Sequence, residues 1–134
     1  MAEQIKGIVK QSGVIPVIEN RLVLITSRRS GNWIIPKGYV EKGLTPHESA
    51  AKEAYEEAGL IGRVHPEAAG HYRYRKYGKF FSVMVYPFFI ETVLDEWEEM
   101  HCRKRALVTP AEAVEMVCEE NLRRIIAEYF RHSI

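Results

Sequence analysis

Three glutamates, Glu53, Glu56 and Glu57, recur at spacings of three and four within the run AAKEAYEEAGL. On a helix, residues so spaced project from one face. Two carboxylates held about 5 Å apart at an effective dielectric of about 20 repel by roughly 3 kcal/mol. Such a face is either solvated and relieved by a neighbouring cation, here Lys52, or it collects hard divalent cations, which take oxygen ligands. The residues before it favour the second reading. Trp33-Ile34-Ile35-Pro36-Lys37-Gly38 is a short apolar run breaking into a glycine-containing loop. That loop can bring backbone carbonyls and a basic side chain up to an anionic ligand. The chemistry such a pairing supports is cation-assisted handling of an anion.

A helix must hold the glutamates, and its punctuation is present at both ends. Thr45 can cap the first turn, Pro46 suits the first helical position, and Glu48 stands where a capping box places its carboxylate. Gly59 falls where a left-handed residue ends a helix, and Leu60 can fold back as the hydrophobic contact. Ala50, Ala51, Ala54 and Ala58 are small enough to let the other face lie close to a sheet. Lys52 lies four residues from both Glu48 and Glu56 and can pair with either.

Composition bounds the classes of function. With 134 residues, 46% hydrophobic and 28% charged, the chain reads as one domain spanning 1–134 with an ordinary core. A net charge of +1 argues against a general nucleic-acid or membrane binder. Cys102 and Cys118 make no disulfide framework and lack metal-ligand spacing, which points to a reduced, cytoplasmic setting. Met1-Ala2-Glu3-Gln4 has no basic-then-apolar signal pattern, and no apolar run approaches the roughly 20 residues needed to span a bilayer.

Along the chain, Ile5 to Lys10 and Gly13 to Ile18 read as short strands, with a break or bulge at Ser12-Gly13. Glu19-Asn20 predicts a tight hairpin into Arg21–Thr26, a strand apolar enough to be buried on both faces. Arg28 and Arg29 lie in a polar loop. In His71–Lys79 aromatic and basic residues alternate, so Tyr72 and Tyr74 share one face and Arg73 and Arg75 the other, with a turn at Gly78. Phe80 to Val93 is the longest β-rich run, and Pro87 within it suggests an edge position or bulge. An acidic loop, Asp95–Glu99, surrounds Trp97 and precedes the basic triplet Arg103-Lys104-Arg105 and a short strand, Ala106–Val108. Thr109-Pro110-Ala111-Glu112 repeats the capping device. Leu122, Ile125, Ile126, Tyr129 and Phe130 follow helical spacing and predict a final amphipathic helix on the sheet.

The stretch from Gly38 to Leu60 resembles the signature of the Nudix hydrolases. Gly38 leads at the family spacing to Lys52-Glu53-Ala54-Tyr55-Glu56-Glu57-Ala58-Gly59-Leu60. Two positions depart: Leu44 replaces the first glutamate and Lys52 the arginine, side chains that look like a salt-bridged brace in the family. Trp33 to Gly38, Ala50-Ala51 and Glu96-Trp97-Glu98 followed by Arg103-Lys104-Arg105 are similar to the diphosphoinositol and diadenosine polyphosphate hydrolases, over roughly residues 8 to 132. A Glu-Trp pair follows the basic triplet in that subgroup, whereas Ala106-Leu107 stand here.

The resemblance implies an α/β fold, an α/β/α sandwich with a mixed β-sheet between helices. It implies hydrolysis of a phosphoanhydride in an X-linked diphosphate, with Mg2+ or Mn2+ held by Glu53, Glu57 and Glu56 and by the Lys37 carbonyl. Glu56 is the expected base and Glu53 the reserve candidate. A further acidic group, one of Glu96, Glu98 or Glu99, can approach the metals. Lys10, Arg28, Lys37, Gly38, Arg75, Lys79, Arg103 and Arg105 are the expected contacts of a small-molecule polyphosphate substrate. No stable nucleic-acid or membrane partner is expected, and the assembly is a monomer or homodimer. The rivals are a nucleoside triphosphate or RNA 5′-end pyrophosphohydrolase, a non-catalytic phosphate-ligand sensor, and a plain interaction module.

Overall fold

A strand with no polar face fixes the layering. In β2 (Arg21–Thr26), Leu22 and Leu24 pack into one apolar layer while Val23 and Ile25 pack into the other, and all four are buried. Such a strand needs cover on both sides. The computed structural model, which describes residues 7–131, provides it.

β1 (Ile8–Ile18) lies beside β2 and runs parallel to β7 (Lys79–Val93). The remaining strands are β3 (Trp33–Ile34), β4 (Lys37–Tyr39), β5 (Leu60–Val64), β6 (Gly70–Lys76) and β8 (Arg105–Val108). Among the described residues all eight join one mixed sheet, with central order β3-β2-β1-β7-β5. β4 pairs with β1, β6 with β7, and β8 with β2. Helix α1 (Pro46–Ala58) covers one face through Ala50, Ala54 and Ala58. Helices α2 (Pro110–Met116) and α3 (Glu120–Tyr129) cover the other through Ala113, Leu122 and Ile126. The expected sandwich of helices about a mixed sheet is therefore present.

Local signals account for the turns. The two-residue hairpin at Glu19-Asn20 pairs Ile18 with Arg21, and Glu19 takes a φ of 55°. Tyr77 and Gly78 both have positive φ, and the hairpin they make joins Lys76 to Lys79. Tyr72 is buried while Arg73 and Arg75 are exposed, as the alternation predicts. Thr109 caps α2 through the predicted box, and Phe130 closes the apolar stripe of α3.

Two expectations need correction. Ser12-Gly13 is not a break, since β1 runs through it; the part of the first predicted strand before Gly7 lies outside the described residues. Gly13 is there because β4 presses close: a Cβ at that position would lie 2.8 Å from the Pro36 carbonyl oxygen and 2.9 Å from Lys37 Cβ. Pro87 is not at an edge, since β7 has β1 on one side and β5 and β6 on the other. β6 stops pairing at Val85 and β5 begins at Phe88, so Pro87 occupies the gap between them. Its carbonyl accepts from the His65 backbone N–H at 2.8 Å on that side, where the missing proline donor interrupts no ladder.

Candidate active site

Helix α1 starts and stops where the capping residues dictate. The Thr45 hydroxyl accepts from the Glu48 backbone N–H at 3.1 Å, and the Glu48 carboxylate accepts from the Thr45 N–H at 2.8 Å. At the other end Gly59 adopts a φ of +66°. Trp97 packs onto it so closely that a Cβ at 59 would lie 2.7 Å from the Trp97 Cβ. The indole N–H donates to the Glu57 carbonyl at 2.9 Å, fastening the acidic loop to the end of the helix.

These constraints aim Glu53 and Glu57 inward at β4. The Lys37 backbone N–H donates to Glu57 Oε1 at 3.1 Å. Glu53 rests against Gly38, where an added Cβ would sit 2.4 Å from its carboxyl carbon and Oε2. Glycine at 38 is thus a requirement of the close approach of helix to loop. Glu56 takes the flank of the helix instead and pairs with Lys52 at 3.1 Å. Lys52 also reaches Glu41 at 2.9 Å. Glu48, occupied by the cap, takes no part in that pairing. Glu41, three residues before Leu44, supplies the loop carboxylate that the resemblance places at 44, so a loop-to-helix brace exists with different partners.

Arg103 completes the cluster. One guanidinium nitrogen lies 3.2 Å from Glu57 Oε2, another donates to Glu99 at 2.8 Å, and the third donates to the Thr26 carbonyl at 3.0 Å. The Arg103 and Glu57 side chains are 8% and 9% exposed. Burial pushes the Glu57 carboxyl up to about 8 despite Arg103, and burial raises Glu53 as well. The Lys37 ammonium is lowered by burial against the pull of Glu57, and it donates to the Tyr74 hydroxyl at 3.3 Å.

Among the described residues no three His, Cys, Asp or Glu side chains stand ready as a metal-ligating group, and Arg103 lies between Glu57 and Glu99. The donor chemistry nevertheless fits a hard divalent cation. The groups available are carboxylate and backbone oxygens. Two of the carboxyls, Glu57 buried and Glu53 half-buried, have pKa values raised by desolvation, which a bound cation would offset.

The sign of that shift gives a pH prediction. A carboxyl whose folded pKa lies above its unfolded value of about 4.5 contributes stability below the unfolded value and loses it as pH rises through about 8. Between pH 5 and pH 8 the metal-free protein is expected to lose on the order of 2 kcal/mol, roughly 5–10 °C in Tm. Thermal melts across that range check it, and a Tm that holds or rises contradicts it.

The remaining predicted site residues are placed unevenly. Lys10, Arg28, Arg75 and Lys79 are exposed. Arg28 lines a cavity of about 450 Å³ together with Arg103 and Lys104. Lys37 and Arg75 line another of about 310 Å³. Arg103 and Arg105, expected on substrate, are engaged within the protein. Arg105 stacks 3.9 Å from the Trp97 ring centroid and donates to the Ala58 carbonyl at 2.8 Å, so it serves the end of α1. Glu41 was missed by sequence reasoning. Its only signal is a carboxylate on the loop before a lysine-bearing helix.

Comparison with known proteins follows the same outline. Residues 9–129 match the family described as NUDIX domain. The chain is 29% identical over 98 residues to Nudix hydrolase 17, mitochondrial, of Arabidopsis thaliana, covering 72% of this chain and 54% of that protein. It is 33% identical over 84 residues to diphosphoinositol polyphosphate phosphohydrolase 2 of Rattus norvegicus, covering 60% of this chain and 44% of the relative. The chain thus spans about half the length of these curated relatives. A C. elegans Ap4A hydrolase binary complex superposes with a TM-score of 0.79 at 18% identity, covering 92% of this chain and 96% of the other, a likeness of fold.

Proposed function

Because the chain belongs to the Nudix family, we propose that it is a metal-dependent pyrophosphohydrolase of X-linked diphosphates, acting on dinucleoside polyphosphates or diphosphoinositol polyphosphates. The observation that carries this reading is the carboxyl pair of buried Glu57 and half-buried Glu53, packed against the Lys37-Gly38 backbone with the Arg103 side chain as counter-charge. When bound, Mg2+ or Mn2+ would supply neutralisation of the phosphate oxygens and a more acidic water. Glu53 and Glu57, with the Lys37 carbonyl, would hold it.

The chain's own groups do the rest. Glu56 takes the water proton, a role typically worth about 10²–10⁴-fold, with Glu53 as the reserve. The Lys37 ammonium, kept close to Glu57, holds a phosphate oxygen at the same place. Arg28, Lys10, Arg75 and Lys79 are exposed cations suited to the outer phosphates, arginine in bidentate fashion. One catalytic domain, monomeric or dimeric, in a reduced cytoplasmic setting completes the reading. Among the described residues Cys102 and Cys118 are free, and no helix is long and apolar enough to cross a membrane.

The test is a hydrolysis screen with and without Mg2+ across dinucleoside polyphosphates, diphosphoinositol polyphosphates, nucleoside triphosphates and triphosphorylated RNA. Turnover of the first two classes that vanishes with chelator is expected. Preference for triphosphates or RNA moves the assignment to a different pyrophosphohydrolase. Inertness toward all four, with binding retained, leaves a sensor.

A further inference from the structure

The 310 Å³ cavity beside Lys37 has a lining that divides by element and by chemistry. β4 and β6 contribute three cations, Lys37, Arg75 and Lys76. Asn32 just before β3, Trp33 in it, and Glu119 at the N-cap of α3 contribute an amide, an indole and a carboxylate instead. The cavity adjoins the carboxyl pair through Lys37, whose backbone N–H donates to Glu57 Oε1 at 3.1 Å. The Trp33 backbone is bridged to that of Val117, two residues before Glu119, so the two residues join the lining from neighbouring stretches of chain. A ligand filling the cavity therefore has positive charge, a flat aromatic, an amide and an anion within its lining.

We propose that this cavity seats a nucleoside rather than a phosphorylated inositol ring, and that Trp33, Asn32 and Glu119 select a base carrying an exocyclic amine. This rests on the hydrolase reading above and narrows its substrate. A ring bearing phosphate on every carbon would bring anions against Glu119, and like charges brought together reject a partner. A nucleobase is neutral and flat, and an aromatic side chain takes any base by stacking. Glu119 supplies the discrimination. One of its oxygens caps α3 by accepting the Asn121 backbone N–H at 3.0 Å, which leaves the other as an acceptor with no proton to give. That group complements the exocyclic NH2 of adenine or cytosine. Against the carbonyl of a uracil-type base it sets one acceptor against another. Asn32 can donate or accept beside it.

The experiment compares kcat/KM for diadenosine tetraphosphate, diuridine tetraphosphate and a diphosphoinositol pentakisphosphate, in the wild type and in Glu119→Gln. Glutamine keeps the capping oxygen, so α3 is retained while an acceptor becomes a donor. The wild type is expected to prefer the adenine substrate over the uracil one by about tenfold or more, through KM rather than kcat, and to favour it over the inositol compound. Glu119→Gln is expected to remove most of that ratio. A ratio unchanged by the substitution, or an inositol substrate preferred, overturns the proposal. A second readout does not need turnover. Tryptophan quenching by adenosine diphosphate is expected at about tenfold lower concentration than by uridine diphosphate, and equal Kd values overturn the proposal. Discrimination between the diphosphates in a protein that hydrolyses none of the three substrates defeats the hydrolase reading alone.

Discussion

Replacing Glu57 by glutamine is expected to lower metal-dependent turnover by about 10³-fold and leave the fold intact. Glutamine has the same size, and its carbonyl oxygen can still accept from the Lys37 backbone N–H as Oε1 does at 3.1 Å. What it loses is the charge. A divalent cation contributes several kcal/mol of charge stabilisation at phosphate oxygens, and each 1.36 kcal/mol is a decade of rate. Steady-state kinetics over a Mg2+ titration, with circular dichroism as the control on folding, reads the effect. A variant that keeps wild-type kcat at saturating Mg2+ removes Glu57 from the ligand set. The companion Glu53→Gln should behave alike, since the two carboxyls are neighbours on one face and each influences the other's ionisation.

The second large effect is on stability. Arg103 contributes three guanidinium contacts to groups that have little other compensation. Arg103→Met fills similar volume but leaves Glu57 and Glu99 without their cation. Removing one member of a buried ion pair typically costs about 3–5 kcal/mol, or roughly 10–15 °C in Tm for a domain of this size. The loss should be smaller at pH 5, where the Glu57 carboxyl is protonated, and larger at pH 8, where it begins to ionise. Mg2+ should raise the Tm of the variant by more than that of the wild type, because only the variant lacks a resident cation between the carboxylates. Thermal melts at both pH values decide this. A loss that is the same at pH 5 and pH 8 would show that Arg103 matters for packing alone.

Helix α1 and its carboxylate face were legible because every signal for them is local. Thr45, Pro46, Glu48 and Gly59 act within one turn of where they stand, and the capping box and left-handed Gly59 follow. β2 was legible for a related reason, since four consecutive apolar residues admit little but two covered faces. Arg103 was not. It reaches Glu57 across 46 positions of sequence, through the loop that Trp97 fastens to the helix end. Nothing in Arg103-Lys104-Arg105 distinguishes a basic triplet offered to substrate from one folded inward. Gly13 was misread because a glycine within a strand signals a bulge and a close neighbour equally, and only the position of β4 decides between them. Pro87 belongs with it, for the gap between β5 and β6 is a property of the whole sheet.

The proposed hydrolysis requires a divalent cation to enter between Glu53 and Glu57. A crystal structure of the protein soaked in Mn2+, phased on the metal's anomalous signal, tests that directly. It is expected to show an ion about 2.1 Å from oxygens of both carboxylates, with Arg103 turned from Glu57. Density showing Arg103 still bonded to Glu57 and Glu99, with no ion near either glutamate of the pair, would contradict it.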